Sequence, residues 1–360
     1  VLPGDIGAAL VPAIDALAGP RLPGRRQASA AGTWRPARSG APGSYSSSLP
    51  FPLAARTGRD ARDVAALLAA GLGDRDWISD ASVTGAGYLT VTVTGDALAG
   101  LAVRVALAGP ACARGDALRG ASLRAPRDAD LVTAATWVQA RQRFAAMVTG
   151  RLAQAAGARV TFCPDSERIP AAGPAATAAS GPAGPAIAFA GADAVRYALA
   201  RIPAGRAASI DAAKSVRHVL ANPFYAVSLA HADASATSAR AAGLGLSRGE
   251  PAGFAPRLLA GQAERRLLGL ISWLPERVAG AARRRQPHEL TRYLEELAGA
   301  YLDAAASCPA LPWRGRSAPR DAVTAGARLW LADAAAAALA AGLNLLGVRE
   351  LTGVRAPPRL

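Results

Sequence analysis

Apolar residues recur along this chain with two periods, and the places where one gives way to the other divide it. Ile6, Leu10, Ile14 and Leu17 fall three or four apart, which predicts a helix over residues 1–20. Residues 21–47 have no apolar period and are rich in Arg, Pro, Gly and Ser, which predicts a loop. Val64, Leu67 and Leu68 share one face of a helix over residues 59–72. Trp77-Ile78 and Val83 then alternate toward a turn at Gly85-Ala86-Gly87, and Tyr88 to Thr94 alternates strictly, which predicts a strand. Leu98 to Val105 returns to a helical pattern, residues 107–129 read as loop, and Trp137, Phe144, Val148 and Leu152 mark a helix over residues 133–157. A short strand is expected at Ala158–Phe162. Residues 170–186 are Ala, Gly, Pro and Ser with almost no large apolar side chain, the composition of a linker. Beyond residue 190 the period is helical almost throughout, with helices expected at 191–200, 209–242, 254–283, 287–306 and 319–341 and an interruption at Pro275. Tyr293, Leu294, Leu297, Tyr301 and Leu302 form its clearest stripe.

The fold class this pattern predicts is α+β: a small α/β N-terminal domain followed by a predominantly α-helical bundle. The expected divisions are residues 1–106 for the first domain, 107–169 for a middle region, 170–188 for a linker and 189–360 for the bundle. A chain of 360 residues, 51% of them apolar, has the material for more than one core. Its abundant alanine favours helix.

Charge changes the picture. The net charge is +15 and the pI about 11.1, and of the 41 basic residues all but Lys214 are arginine. Such an excess points to an acidic counterpart: nucleic acid, an anionic surface or an acidic protein. Cys112, Cys163 and Cys308 are scattered, with no paired spacing, so neither a structural zinc site nor a disulfide framework is expected. Free thiols fit a reducing compartment, and a cytoplasmic location is the expectation. No metal, no cofactor and no membrane span are expected.

Several segments, in order, resemble the C-terminal anticodon-binding domain of arginine–tRNA ligases, the helical domain named for an Asp-Ala-Leu-Arg signature. They are Gly191 to Tyr197, Asn222-Pro223-Phe224-Tyr225-Ala226-Val227 continuing through Ala230-His231-Ala232, Tyr293-Leu294-Glu295-Glu296-Leu297-Ala298, Ala327 to Leu331, Gly342 to Gly347, and Ala356 to Leu360. Ser48 to Ala54 and Gly85-Ala86-Gly87-Tyr88-Leu89 are similar to the same family's additional N-terminal domain, which in that family touches the outer corner of tRNA. The helix at 136–157 resembles the family's first catalytic helix through Arg141 and Arg151 to Gly157. Its ATP-gripping His-x-Gly-His signature would then fall on Thr136, Trp137, Val138 and Gln139, where both histidines and the glycine are replaced. Val138 stands where close approach to a nucleotide needs glycine. Too few residues separate Gln139 from Gly191 for the several βαβ units of a nucleotide-binding catalytic domain. Residues 107–169 therefore read as the remnant of a catalytic region.

The resemblance implies a protein that binds tRNA, with arginine tRNA the first candidate, and that is not an enzyme. A protein partner or scaffold on a retired synthetase fold is the alternative, and ligase activity completed by a partner in trans is a third reading. Implied tRNA contacts are Arg328 and Trp330 for phosphate and base stacking, Asn344, Arg359 and Leu360 at the closing segment, the run Arg283, Arg284 and Arg285 along a backbone, and Tyr225, His231 and Tyr293 in the bundle. For each, helix packing, capping or a solvated face is the competing role. Arg21, Arg25 and Arg26 in the first loop are further candidates for backbone contact.

Overall fold

The computed structural model describes residues 2–18, 34–73, 75–163, 182–204, 206–312 and 321–348. The first helix is split: α1 (Pro3–Ala9) and α2 (Val11–Ala18) meet at Leu10, next to Pro12. The expected loop holds two strands, β1 (Trp34–Pro36) and β2 (Ser44–Ser47). They were invisible to periodicity because β2 is buried on both faces with serines in place of apolar residues. Ser44 Oγ lies 3.0 Å from Thr92 Oγ1 of the neighbouring strand, and Ser47 Oγ accepts from Leu49 N at 3.1 Å. After α3 (Pro50–Thr57) and α4 (Ala61–Ala70), β3 (Ile78–Thr84) and β4 (Tyr88–Val93) form the expected hairpin. The antiparallel sheet runs β1-β2-β4-β3, and Leu89, Val91 and Val93 turn its inner face to the helices.

α5 (Gly95–Ala99) and α6 (Leu101–Ala108) lead into the middle region. There β5 (Ser122–Pro126), α7 (Trp137–Ala155) and β6 (Arg159–Cys163) make one βαβ unit whose strands pair in parallel. A Cβ added at Gly150 would overlap that of Ala125, so this glycine is what lets α7 lie against β5. The sheet has two strands among the described residues.

The bundle starts with α8 (Ala183–Ala190) and α9 (Ala192–Arg201). The expected helix over 209–242 is interrupted. A four-residue turn, α10 (Ala212–Ser215), precedes α11 (Pro223–Ala242), whose N-cap is Asn222, its side chain accepting from Phe224 N at 3.2 Å. The expected helix over 254–283 is likewise two, α12 (Gln262–Ile271) and α13 (Leu274–Arg284), and Pro275 opens the second instead of kinking the first, because a first-turn proline forfeits no helical hydrogen bond. α14 (Pro287–Ser307) and α15 (Ala322–Leu345) complete it. α15 is apolar nearly all round because it is the bundle's central helix. By length and composition alone it would pass for a membrane span, as would Gly95–Ala113, but the latter is broken into separate short helices at Gly100 and Gly109. A Cβ at Gly342 would overlap Leu294, so this glycine lets α15 close on α14.

The N-terminal part and the bundle share packing. Tyr45 of β2, fully buried, lies 5.3 Å from the Trp273 ring, and α6 lies along α15. Burial pushes the Tyr45 hydroxyl up to about 12, so it stays protonated in the join.

Candidate nucleic-acid interface

The residues expected to read an anticodon from α15 are occupied in holding the bundle together. Arg328 Nε donates to Glu264 Oε1 at 2.8 Å and its Nη1 donates to Pro309 O at 3.0 Å, while the Glu264 side chain is 1% exposed. Trp330 is also 1% exposed, with the Arg248 guanidinium 4.2 Å above its ring. Neither side chain is free to meet a base or a phosphate. Two further expectations are corrected on the same ground. Tyr293 is buried and its hydroxyl donates to Leu270 O at 2.8 Å, and His231 is buried with Nε2 3.3 Å from Ser235 Oγ. Asn344 is exposed on the last turn of α15. Arg359 and Leu360, like Arg21, Arg25 and Arg26, lie outside the described residues.

Exposed arginines stand at the corner between α13 and α14 and at the foot of α11. Arg283, Arg284 and Arg285 are all exposed there. Arg284 is held by Glu289, its Nε donating to Oε1 at 2.7 Å. Arg285 closes α13 in the left-handed region, φ 54°, a conformation that suits glycine better than arginine. Gln286 then reaches across, its Oε1 accepting from Ala204 N at 3.4 Å, which ties this corner to the loop after α9. Arg141 of α7 donates from Nε to Ile202 O in the same loop at 3.2 Å. His288 is held below the usual imidazole range by burial, then by Arg292, so it is neutral at pH 7 and the charge here is arginine.

That loop forms the wall of a cleft of about 610 Å³. Its floor is apolar, with Ile202, Ile210, Val219 and Phe224, and its rim carries Arg206, Lys214 and Arg217. Asn222 sets the rim: its Nδ2 donates to Ser215 O at 2.9 Å and to Arg217 O at 2.8 Å, pinning the turn that displays Arg217 and His218. The His218 ring stacks on Tyr225, centroids 5.2 Å apart and planes within 15°, which leaves Tyr225 on a half-exposed aromatic platform beside the cleft. Arg201 is neutralised by Glu295, Nε to Oε1 2.6 Å, and Lys214 pairs with Asp211 at 3.4 Å. Arg206, Arg217, Arg283, Arg285 and Arg292 have no acidic partner among the described residues. Sequence reading named Tyr225 and the arginine run as candidates and did not name Arg206, Arg217 and His218, which the structure sets beside them. The legible signal for these was the helix break that Asn222-Pro223 imposes.

The N-terminus of α7 is closed by its own chain. Thr136 Oγ1 accepts from Gln139 N at 3.2 Å, Gln139 Oε1 accepts from Ala135 N at 2.8 Å, and Asp130 accepts from Val132 N and Thr133 N at 3.0 and 3.3 Å. Trp137 is half-buried, and Val138 is 51% exposed where a nucleotide would need room.

The family comparison falls on this bundle: residues 229–353 match the DALR anticodon binding domain. The relatives that carry this stretch are arginine–tRNA ligases. That of Clavibacter sepedonicus is 43% identical over 158 residues, 44% of this chain and 27% of the relative, and that of Micrococcus luteus 43% over 160 residues, 44% and 28%. The matched stretch thus spans little more than a quarter of those relatives. The solved structure of Thermus thermophilus arginyl-tRNA synthetase superposes with a TM-score of 0.61 at 13% identity, over 97% of this chain and 99% of that chain, and so shows the same fold.

Proposed function

We propose that this protein binds tRNA without aminoacylating it, and that the RNA lies along the α13–α14 corner with one unstacked base at the cleft below α11. The observation that carries this reading is the collection of unpaired arginines around an apolar-floored cleft with an aromatic platform. Phosphates need cations free of internal partners, and an unstacked base needs a flat apolar surface. The names of the relatives make arginine tRNA the first one to try. The non-catalytic half of the proposal rests on α7. Gln139 N, a first-turn amide that could face a phosphate there, is already taken by Thr136, Val138 is exposed where the resemblance expects a glycine, and one βαβ unit is present among the described residues where a nucleotide fold uses several.

Fluorescence anisotropy with labelled arginine tRNA across a salt series tests the binding half. Arg217→Ala combined with Arg285→Gly removes two cations, and the glycine suits the left-handed cap, so folding is preserved. The slope of log affinity against log salt is expected to fall by about one for each arginine removed. Tyr225→Ala is expected to weaken binding roughly tenfold with the slope unchanged, the signature of lost stacking. A double variant with native slope, or tRNA binding no tighter than heparin binding, overturns the proposed interface. Arginine- and tRNA-dependent exchange of pyrophosphate into ATP by the purified chain would overturn its non-catalytic half.

A further inference from the structure

The region around β3 and α4 is the acidic island of a basic chain. Residues 50–95 hold four arginines against five aspartates, while the whole chain stands at +15. β3 is an edge strand, paired with β4 on one side. Along its other side runs an open groove of about 550 Å³, walled by Ala66, Ala69, Ala70 and Gly73 of α4 and its following turn. No side chain larger than a methyl group projects from that helical wall, so the backbone edge of β3 stays within reach of an extended segment.

The register fixes what such a segment would meet. Ala81 and Val83 oppose Val91 and Leu89, so they share the inner face toward α4, while Asp80, Ser82 and Thr84 oppose Thr92, Thr90 and Tyr88 on the outer face. An added strand would alternate in the same way, with one set of side chains over the alanines of α4 and the other beside Asp80. Asp80 accepts from Ser82 Oγ at 2.9 Å and has no cationic partner among the described residues. The nearby cations are committed elsewhere: Arg62 donates to Gly85 O at 3.0 Å, and Arg75 to Gly71 O at 2.8 Å and Ala9 O at 3.1 Å. The register shift between Ile78 and Asp80 limits the regular edge to Asp80–Thr84, enough for about five residues.

We propose that this groove is a peptide-docking site that takes an extended segment of a partner protein as a fifth strand, with small or β-branched residues facing α4 alternating with arginine or lysine facing Asp80. It lies on the N-terminal sheet, apart from the cleft proposed for RNA below α11. The probe is a fluorescein-labelled, end-blocked octapeptide alternating valine and arginine, compared with its valine–glutamate counterpart and read by anisotropy and by backbone amide shifts of the full chain. The arginine peptide is expected to bind at least tenfold tighter than the glutamate peptide, with shifts confined to residues 66–84. Ala70→Leu, at an exposed helical position, fills the groove without touching the core and is expected to weaken binding at least tenfold. Asp80→Lys is expected to reverse the charge preference. Equal binding of both peptides, shifts mapping to the bundle, or unchanged affinity in Ala70→Leu overturns the site.

Discussion

Glu264→Ala is expected to destabilise the fold by about 3–5 kcal/mol, read as a lowered urea midpoint with an unchanged m-value. The Glu264 carboxylate is 1% exposed and is the acceptor for Arg328 Nε, while its other oxygen accepts from Gly261 N at 2.7 Å at the start of α12. Removing it strands a four-fifths-buried guanidinium whose remaining partner is a carbonyl, Pro309 O. The cost is mostly that of an unpaired buried charge and not the net worth of the pair. Arg328→Met, which removes the charge that Glu264 compensates, should be less damaging when made together with Glu264→Leu than when made alone. Additive single and double effects would show that the two groups do not act as a pair.

Trp330→Ala is expected to cost about 3–5 kcal/mol as well, for a different reason: it opens a cavity at the centre of the bundle and removes the ring under Arg248. Its effect on tRNA binding separates the two accounts of α15. If Trp330 packs, the folded fraction of the variant binds tRNA as the native protein does, and the whole loss appears in stability. A variant that melts normally but loses affinity would mean that Trp330 leaves the core to stack on RNA. The experiment has to be run well below the variant's midpoint, because an unfolded fraction mimics lost affinity.

On α15 the sequence signal and the packing point to different roles for Arg328 and Trp330. The Ala327 to Leu331 stretch identifies the helix correctly, and an arginine beside a tryptophan is a sound sequence signal for RNA contact. What cancels it is the position of α15 in the bundle. Helices α11, α12, α14 and α6 all pack on it, so its charged groups, Arg328 and Asp333, must be matched internally. Glu264 and Arg248, distant in sequence, supply the match. Such pairings depend on which helices meet, and no local pattern encodes that. The opposite holds for Arg283 to Arg285. The run is followed at once by Gln286-Pro287, which ends α13 and starts α14, and a helix end between two breakers is exposed in almost any packing.

The sequence by itself determined the helical character after residue 190, the β3–β4 hairpin, and the resemblance of the bundle to the DALR anticodon binding domain, because these rest on periodicity, breakers and motif order. It also placed Val138 at the position where the resemblance expects a glycine. Only the tertiary structure decided which arginines are free. The overall excess of positive charge is a sum, while availability depends on the acid each guanidinium meets across a helix interface. It also decided that the serines of β2 make a strand, because burial on both faces erases the alternation by which strands are recognised, and that Asp80 stands beside an open sheet edge.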